Sequence, residues 1–273
     1  MLEPRPLRIH FLGVKKQFKE FGKDMLLVVE GDSDRKLVNK ASPRKNWLIM
    51  PADSKQSVID ACTPIDDEDT IFGLIDQDYD WITNNSKLHN SIVKIDENNI
   101  EMMLFGKIPL TVYSDLEKVV AEYIINCAKE IGILRATCHM HEKKAKFKPL
   151  SHENDWFASD PFFNNLEKRD LGKFKKELYI SFKEYGKNKR DIDLKIIRDK
   201  PYKCDNKLDH MLINGKDLLL LIALAERGES SNIDHNLLLR VITTRLTSNA
   251  DKGIIRNTSL GNNLAHLDIW SDE

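Results

Sequence analysis

Two short apolar runs, each ending abruptly in carboxylates, constrain this chain more than any other feature. Met25–Val29 (MLLVV) runs into Glu30-Gly31-Asp32-Ser33-Asp34, and Ile71–Ile75 (IFGLI) runs into Asp76-Gln77-Asp78-Tyr79-Asp80. A nearly unbroken hydrophobic stretch of this length suits a central strand buried on both faces. In an open α/β sheet, ligands gather at the carboxyl ends of the strands. Glu30, Asp76 and Asp78 are therefore expected to converge on one edge. Such an edge is hard and oxygen-rich, the kind Mg²⁺ or Mn²⁺ occupies through a few carboxylates plus waters and phosphate.

The surrounding pattern alternates. Ser33 or Asp32 can cap a helix to about Lys40 that buries Leu37 and Val38. Asn46–Met50 reads as a second strand, stopped by Pro51, and Ser54 caps a helix over Lys55–Cys62 with Val58, Ile59 and Cys62 inward. Ser91–Ile95 reads as a fourth strand, and Asn98–Phe105 as a short helix with Ile100, Met103 and Leu104 inward. Strand and helix in turn predict a mostly parallel sheet with right-handed crossovers.

From Thr111 the character becomes helical. Ser114–Glu117 has the form of a capping box opening a helix to about Leu134. Its apolar stripe is Leu116, Val119, Val120, Tyr123, Ile124, Cys127 and Ile131. Further helical patterns cover Pro161–Tyr185, Lys216–Arg227 and Asp234–Thr247, IDLKII at 192–197 suits an added strand, and the polar tail from Ala250 has no evident place. The expected organisation is an α/β domain over 1–110 and a mainly helical, partly basic extension over 111–273.

Charge is distributed unevenly behind a formal net charge of −1. Between Asp53 and Glu101 twelve acidic residues face three basic ones (Lys55, Lys87, Lys94), a balance of −9; between Arg135 and Lys203 eighteen basic residues face eleven acidic, a balance of +7. An acidic site beside a basic extension suits a metal-dependent enzyme with a polyanionic substrate, and solvated helix faces would give the same asymmetry. Lys143, Lys144, Lys146 and Lys148 around Phe147, and Lys187, Lys189 and Arg190, are candidate nucleic-acid contacts. No apolar run approaches the roughly 20 residues of a membrane span. The four scattered cysteines suit a reducing compartment, so a cytoplasmic location is expected. Cys138-His139-Met140-His141 fits no closed zinc motif, and there is no Walker A or Gly-x-Gly-x-x-Gly sequence.

Together, VVEGDSD at 28–34 and LIDQDYD at 74–80 resemble the TOPRIM domain shared by topoisomerases, primases and OLD-type nucleases. IDENNIEMMLF at 95–105 and INGKDLLLLI at 213–222 extend the likeness. It covers roughly residues 22–108 plus the later Gly-Lys-Asp. The chain looks like the small TOPRIM effectors of bacterial anti-phage systems such as PARIS, which pair with an ABC-type, OLD-like ATPase. The resemblance implies a TOPRIM-like, Rossmann-like fold and an endonuclease that needs Mg²⁺ or Mn²⁺. It also implies a nucleic-acid substrate, with RNA such as tRNA favoured over DNA, and an ATPase partner; a homodimer is left open.

Each candidate residue carries an ordinary alternative. Glu30 is read as metal ligand or general base, or else as an ordinary polar residue at a strand end or a cap for the following helix. Asp34 matches the last position of the OLD-like Glu-Gly-x-x-Asp pattern, and an acid at a helix N-terminus is favourable anyway. Asp76 and Asp78 alternate across Gln77, which in extended chain points both the same way, toward a shared cation. Glu101, with Glu97 as alternative, completes a metal set or sits on a helix surface. Lys216 is assigned by resemblance to charge neutralisation on phosphate, against a simple helix-entry role. The expected function is a divalent-metal-dependent nuclease acting as a toxic defence effector. A catalytically inactive scaffold and a small-phosphoester hydrolase are the other classes.

Overall fold

The computed structural model describes residues 6–62, 71–83, 88–140, 170–176, 178, 201–203, 209–227 and 234–271. They fall into two compact units. The first takes its residues from 1–77, 85–107 and 250–273, the second from 78–84 and 108–249.

The first unit is α/β, built on four parallel strands: β1 (Met25–Val29), β2 (Trp47–Pro51), β3 (Phe72–Ile75) and β4 (Ile92–Lys94), in the order β2-β1-β3-β4. Leu26 to Val29 are fully buried, as the unbroken apolar run requires of a central strand. Helices α1 (Pro6–Lys19), α2 (Asp32–Lys40) and α3 (Lys55–Cys62) flank the sheet, and α5 (Ile100–Phe105) follows β4. Alternation sends Leu26 and Val28 to the face where Phe11 of α1 and Val58, Ala61 and Cys62 of α3 pack. Gly73 of β3 lies under α3: a Cβ there would meet Cys62 Sγ at 2.7 Å and Val58 Cγ1 at 2.8 Å.

The order also locates a reversal. The chain steps outward from β1 to β2, then returns past β1 to lay β3 on its other side. The gap between the carboxyl ends of β1 and β3 is a topological switch point, where open α/β sheets bind ligands.

The polar tail belongs to this unit. Helices α11 (Lys252–Arg256) and α12 (Ser259–Ala265) are capped by Asp251 and Thr258. The Arg256 guanidinium donates to the carbonyls of Ala41, Ser42 and Ser271 and lies over the Trp270 ring. Arg44 pairs with Asp268 at 2.7 Å, and Asn263 donates to the Lys94 carbonyl of edge strand β4.

The second unit is helical in its described parts. It holds α4 (Asp80–Thr83), α6 (Leu110–Tyr113), α7 (Lys118–Met140), α8 (Asp209–Leu212), α9 (Gly215–Arg227) and α10 (His235–Asn249). The expected capping box at Ser114 does not form. Ser114 Oγ accepts from Leu116 N–H, the Asp115 N–H goes to Glu226, and the helix begins only at Lys118. It then continues past Leu134 to Met140. Val119, expected inward, is 50% exposed. Gly132 of α7 sits directly against α8, where an added Cβ would fall 1.9 Å from the Leu212 carbonyl oxygen. Arg135 grips Asp217 of α9 through two bonds of 2.7 and 2.8 Å, and the Tyr79 hydroxyl donates to Leu212. No described helix is long and apolar enough to cross a membrane.

Candidate functional site

The register of the two central strands brings the first acids together. Val29 lies opposite Leu74, so Glu30 comes level with Ile75. From there its side chain reaches one residue onward, and Oε1 accepts the Asp76 backbone N–H at 2.8 Å. Glu30 and Asp76 are thus neighbours at the switch point, forty-six residues apart in sequence. Both are partly buried.

A third group meets them. Lys55, the first residue of α3, donates from Nζ to the Asp76 carbonyl at 2.6 Å and to the Gln77 carbonyl at 3.4 Å. Ser54 caps this helix as its sequence predicts, accepting the Ser57 N–H. Both polar groups of the Asp76 backbone are consequently held, the N–H by a carboxylate and the C=O by an ammonium. Lys55 was not among the expected site residues. Its only signal in the sequence was its isolation as a lone lysine between Asp53 and the acids at 66–69.

The other expected residues take different places. Asp34 caps its own helix: its Oδ2 accepts the Gly31 N–H at 2.7 Å, which makes Gly31 the N-cap rather than Ser33 or Asp32. Asp32 instead pairs with Arg35 and Lys36, and those cations hold its carboxyl below the usual range. Gly31 has ordinary extended backbone, and a Cβ would meet nothing closer than 3.6 Å, so the fold alone does not demand glycine there. Asp76 and Asp78 do not alternate in extended chain. Strand β3 ends at Ile75, and Asp78 adopts a left-handed φ of 49°, a conformation Asp tolerates better than most residues. The chain turns there and enters the second unit.

Glu101 lies in the first turn of α5, which follows β4 and is capped by Asn99. The neighbouring Glu97 accepts a hydrogen bond from the Ser259 hydroxyl. Lys216 is exposed at the start of α9, its N–H bonded to Asn214 Oδ1 at 3.0 Å, in the second unit. The adjoining Asp217 is 4% exposed and committed to Arg135, which gives the Gly-Lys-Asp sequence a packing role in its own right. Cys127 and Cys138 are buried in α7, and desolvation pushes both thiols up to about 12, away from ligand chemistry. Lys143, Lys144, Lys146, Lys148, Lys187, Lys189 and Arg190, with the strand expected at 192–197, lie outside the described residues.

Among the described residues, no cluster of three or more His, Cys, Asp or Glu is close enough to hold a metal ion. Mg²⁺ characteristically takes one or two carboxylates and completes its shell with water and substrate phosphate. Glu30 and Asp76 are acids of that type, neighbours through the bond from the Asp76 N–H to Glu30 Oε1. No protein-family model, curated protein or solved structure matches this chain.

Proposed function

We propose that the chain is a divalent-metal-dependent phosphodiesterase of TOPRIM type acting on nucleic acid, with RNA such as tRNA the favoured substrate. The observation that carries the reading is the pairing of Glu30 with Asp76 at the switch point of a parallel sheet. Glu30 and Asp76 would hold the Mg²⁺ or Mn²⁺. When bound, such an ion activates water and neutralises charge on phosphate. The protein's own part is positional. The sheet fixes the two acids on adjacent strands, and Lys55 fixes the peptide that carries Asp76. The TOPRIM resemblance assigns Asp34, Asp78 and Glu101 to the same acidic set. Lys216 is the cation the TOPRIM resemblance assigns to phosphate, and the basic residues 143–148 and 187–190 would hold the polyanion. A role as toxic effector in phage defence under an ATPase partner follows from the resemblance alone.

Purified protein with Mn²⁺, assayed on tRNA, single-stranded RNA and plasmid DNA, tests the reading. Cleavage by wild type that disappears in Glu30→Ala and in Asp76→Ala is expected. Inactivity of wild type on all three, with and without a co-purified ATPase, would leave the scaffold reading. Turnover of mononucleotides that ignores charge reversal at Lys143–Lys148 would favour the small-phosphoester reading.

A further inference from the structure

We infer that Lys55 is a positioning residue of the Glu30–Asp76 site, which latches the Asp76–Gln77 backbone where strand β3 turns away. The inference deepens the metal-site reading above and rests on it. Two consecutive peptides are gripped. The Asp76 N–H is taken by Glu30 Oε1 at 2.8 Å, and the Asp76 carbonyl by Lys55 Nζ at 2.6 Å. The same ammonium reaches the Gln77 carbonyl at 3.4 Å. Immediately afterwards the backbone takes its left-handed φ of 49° at Asp78. These peptides follow Ile75, the last residue of β3, and lie beyond the register that β1 and β3 share, which ends at Val29↔Leu74.

Lys55 is well placed to do this because its own base is rigid. It opens α3, whose Val58, Ala61 and Cys62 are buried against the sheet and whose first turn is capped by Ser54. A charge-assisted bond from a fixed helix to a carbonyl is strong and directional. The stretch 53–101 holds only three basic residues against twelve acidic ones, so a cation here is an exception.

The role makes a prediction of sign. By simple repulsion, a nearby ammonium opposes a divalent cation, so removing it should tighten metal binding. If Lys55 positions Asp76, removing it should weaken binding instead. Lys55→Met, Lys55→Gln and Lys55→Arg would be compared with wild type by Mn²⁺ titration calorimetry and by amide hydrogen exchange of residues 76–78 without metal. The expected result for Lys55→Met is roughly tenfold weaker Mn²⁺ binding, the scale of one charge-assisted hydrogen bond. Faster exchange at the Asp76 amide should accompany it, with β1 amides unchanged. Lys55→Arg should recover most of both effects, and Lys55→Gln, a neutral donor that preserves the fold if Met does not, should fall between. Unchanged or tighter Mn²⁺ binding in the Met and Gln variants, or unaltered exchange at Asp76, overturns the positioning role while the metal site stands. Absence of Mn²⁺ uptake by wild type overturns the metal reading itself, and the role of Lys55 in it.

Discussion

Glu30 performs two tasks that substitution can separate. It accepts the Asp76 N–H, and it is proposed to hold a cation. Glu30→Gln keeps an oxygen acceptor but loses the charge; Glu30→Ala loses both. In urea unfolding, Gln should stay near wild type while Ala loses about 1–3 kcal/mol, the cost of leaving a partly buried donor unmade. Both should lose Mn²⁺ binding. The buried cysteines give a second residue-level expectation. Folding raises the Cys127 and Cys138 thiols from the ordinary 9.0 to about 12. Above pH 9.0 the unfolded chain releases these protons while the folded one keeps them, so stability should fall as pH rises from there toward 12. Unfolding midpoints between pH 8 and pH 11 check the sign, with Cys127→Ala and Cys138→Ala flattening the profile. At this scale the sequence was informative about type and poor about role. Asp34 satisfied both a ligand pattern and a cap pattern, and only the 2.7 Å bond to Gly31 distinguishes its structural use. Lys55 was invisible as a site residue because no local pattern reveals which distant carbonyls a flexible side chain will find.

Elements were legible where periodicity was strong. Strands β1 to β4 and helices α2, α3 and α5 lie within a residue or two of their expected bounds, because burial on one or two faces imposes a period that sequence displays. Helix starts were less legible. Ser114–Glu117 has the right letters for a capping box, yet its groups bond to Leu116 and to Glu226 of another helix. The packing of α7 on α8 and α9 yields two tests. Gly132→Ala would drive a Cβ into the Leu212 carbonyl and should cost about 1–3 kcal/mol or more, as overpacking does. Asp217→Ala should cost roughly 3–5 kcal/mol by removing the carboxylate from a largely buried ion pair, whereas Arg135→Met with Asp217→Leu should cost far less. Denaturant titration of the singles and the double measures the coupling. A double mutant as unstable as the worse single would defeat the ion-pair account.

At the scale of the molecule, the notable feature is how the tail returns. Residues 250–271 join the unit that holds the sheet, through Arg256 to the α2–β2 connection, through Asn263 to β4 and through Ser259 to Glu97. Arg256→Met should therefore lower stability by roughly 2 kcal/mol, the scale of charge-assisted bonds at a partly exposed site. It should destabilise the sheet unit before the helical one, which domain-resolved hydrogen exchange would read; equal loosening of both units would contradict the assignment. Burial and alternation act between neighbours along the chain, so the parallel α/β core, its strands and the acids at their ends could be read from the residues. Only the folded chain shows that Glu30 meets the Asp76 N–H, that Lys55 joins them and that the tail closes on the sheet. Those outcomes rest on hydrogen bonds between residues from about twenty to more than two hundred positions apart, where strand order and register, rather than local pattern, choose the partner.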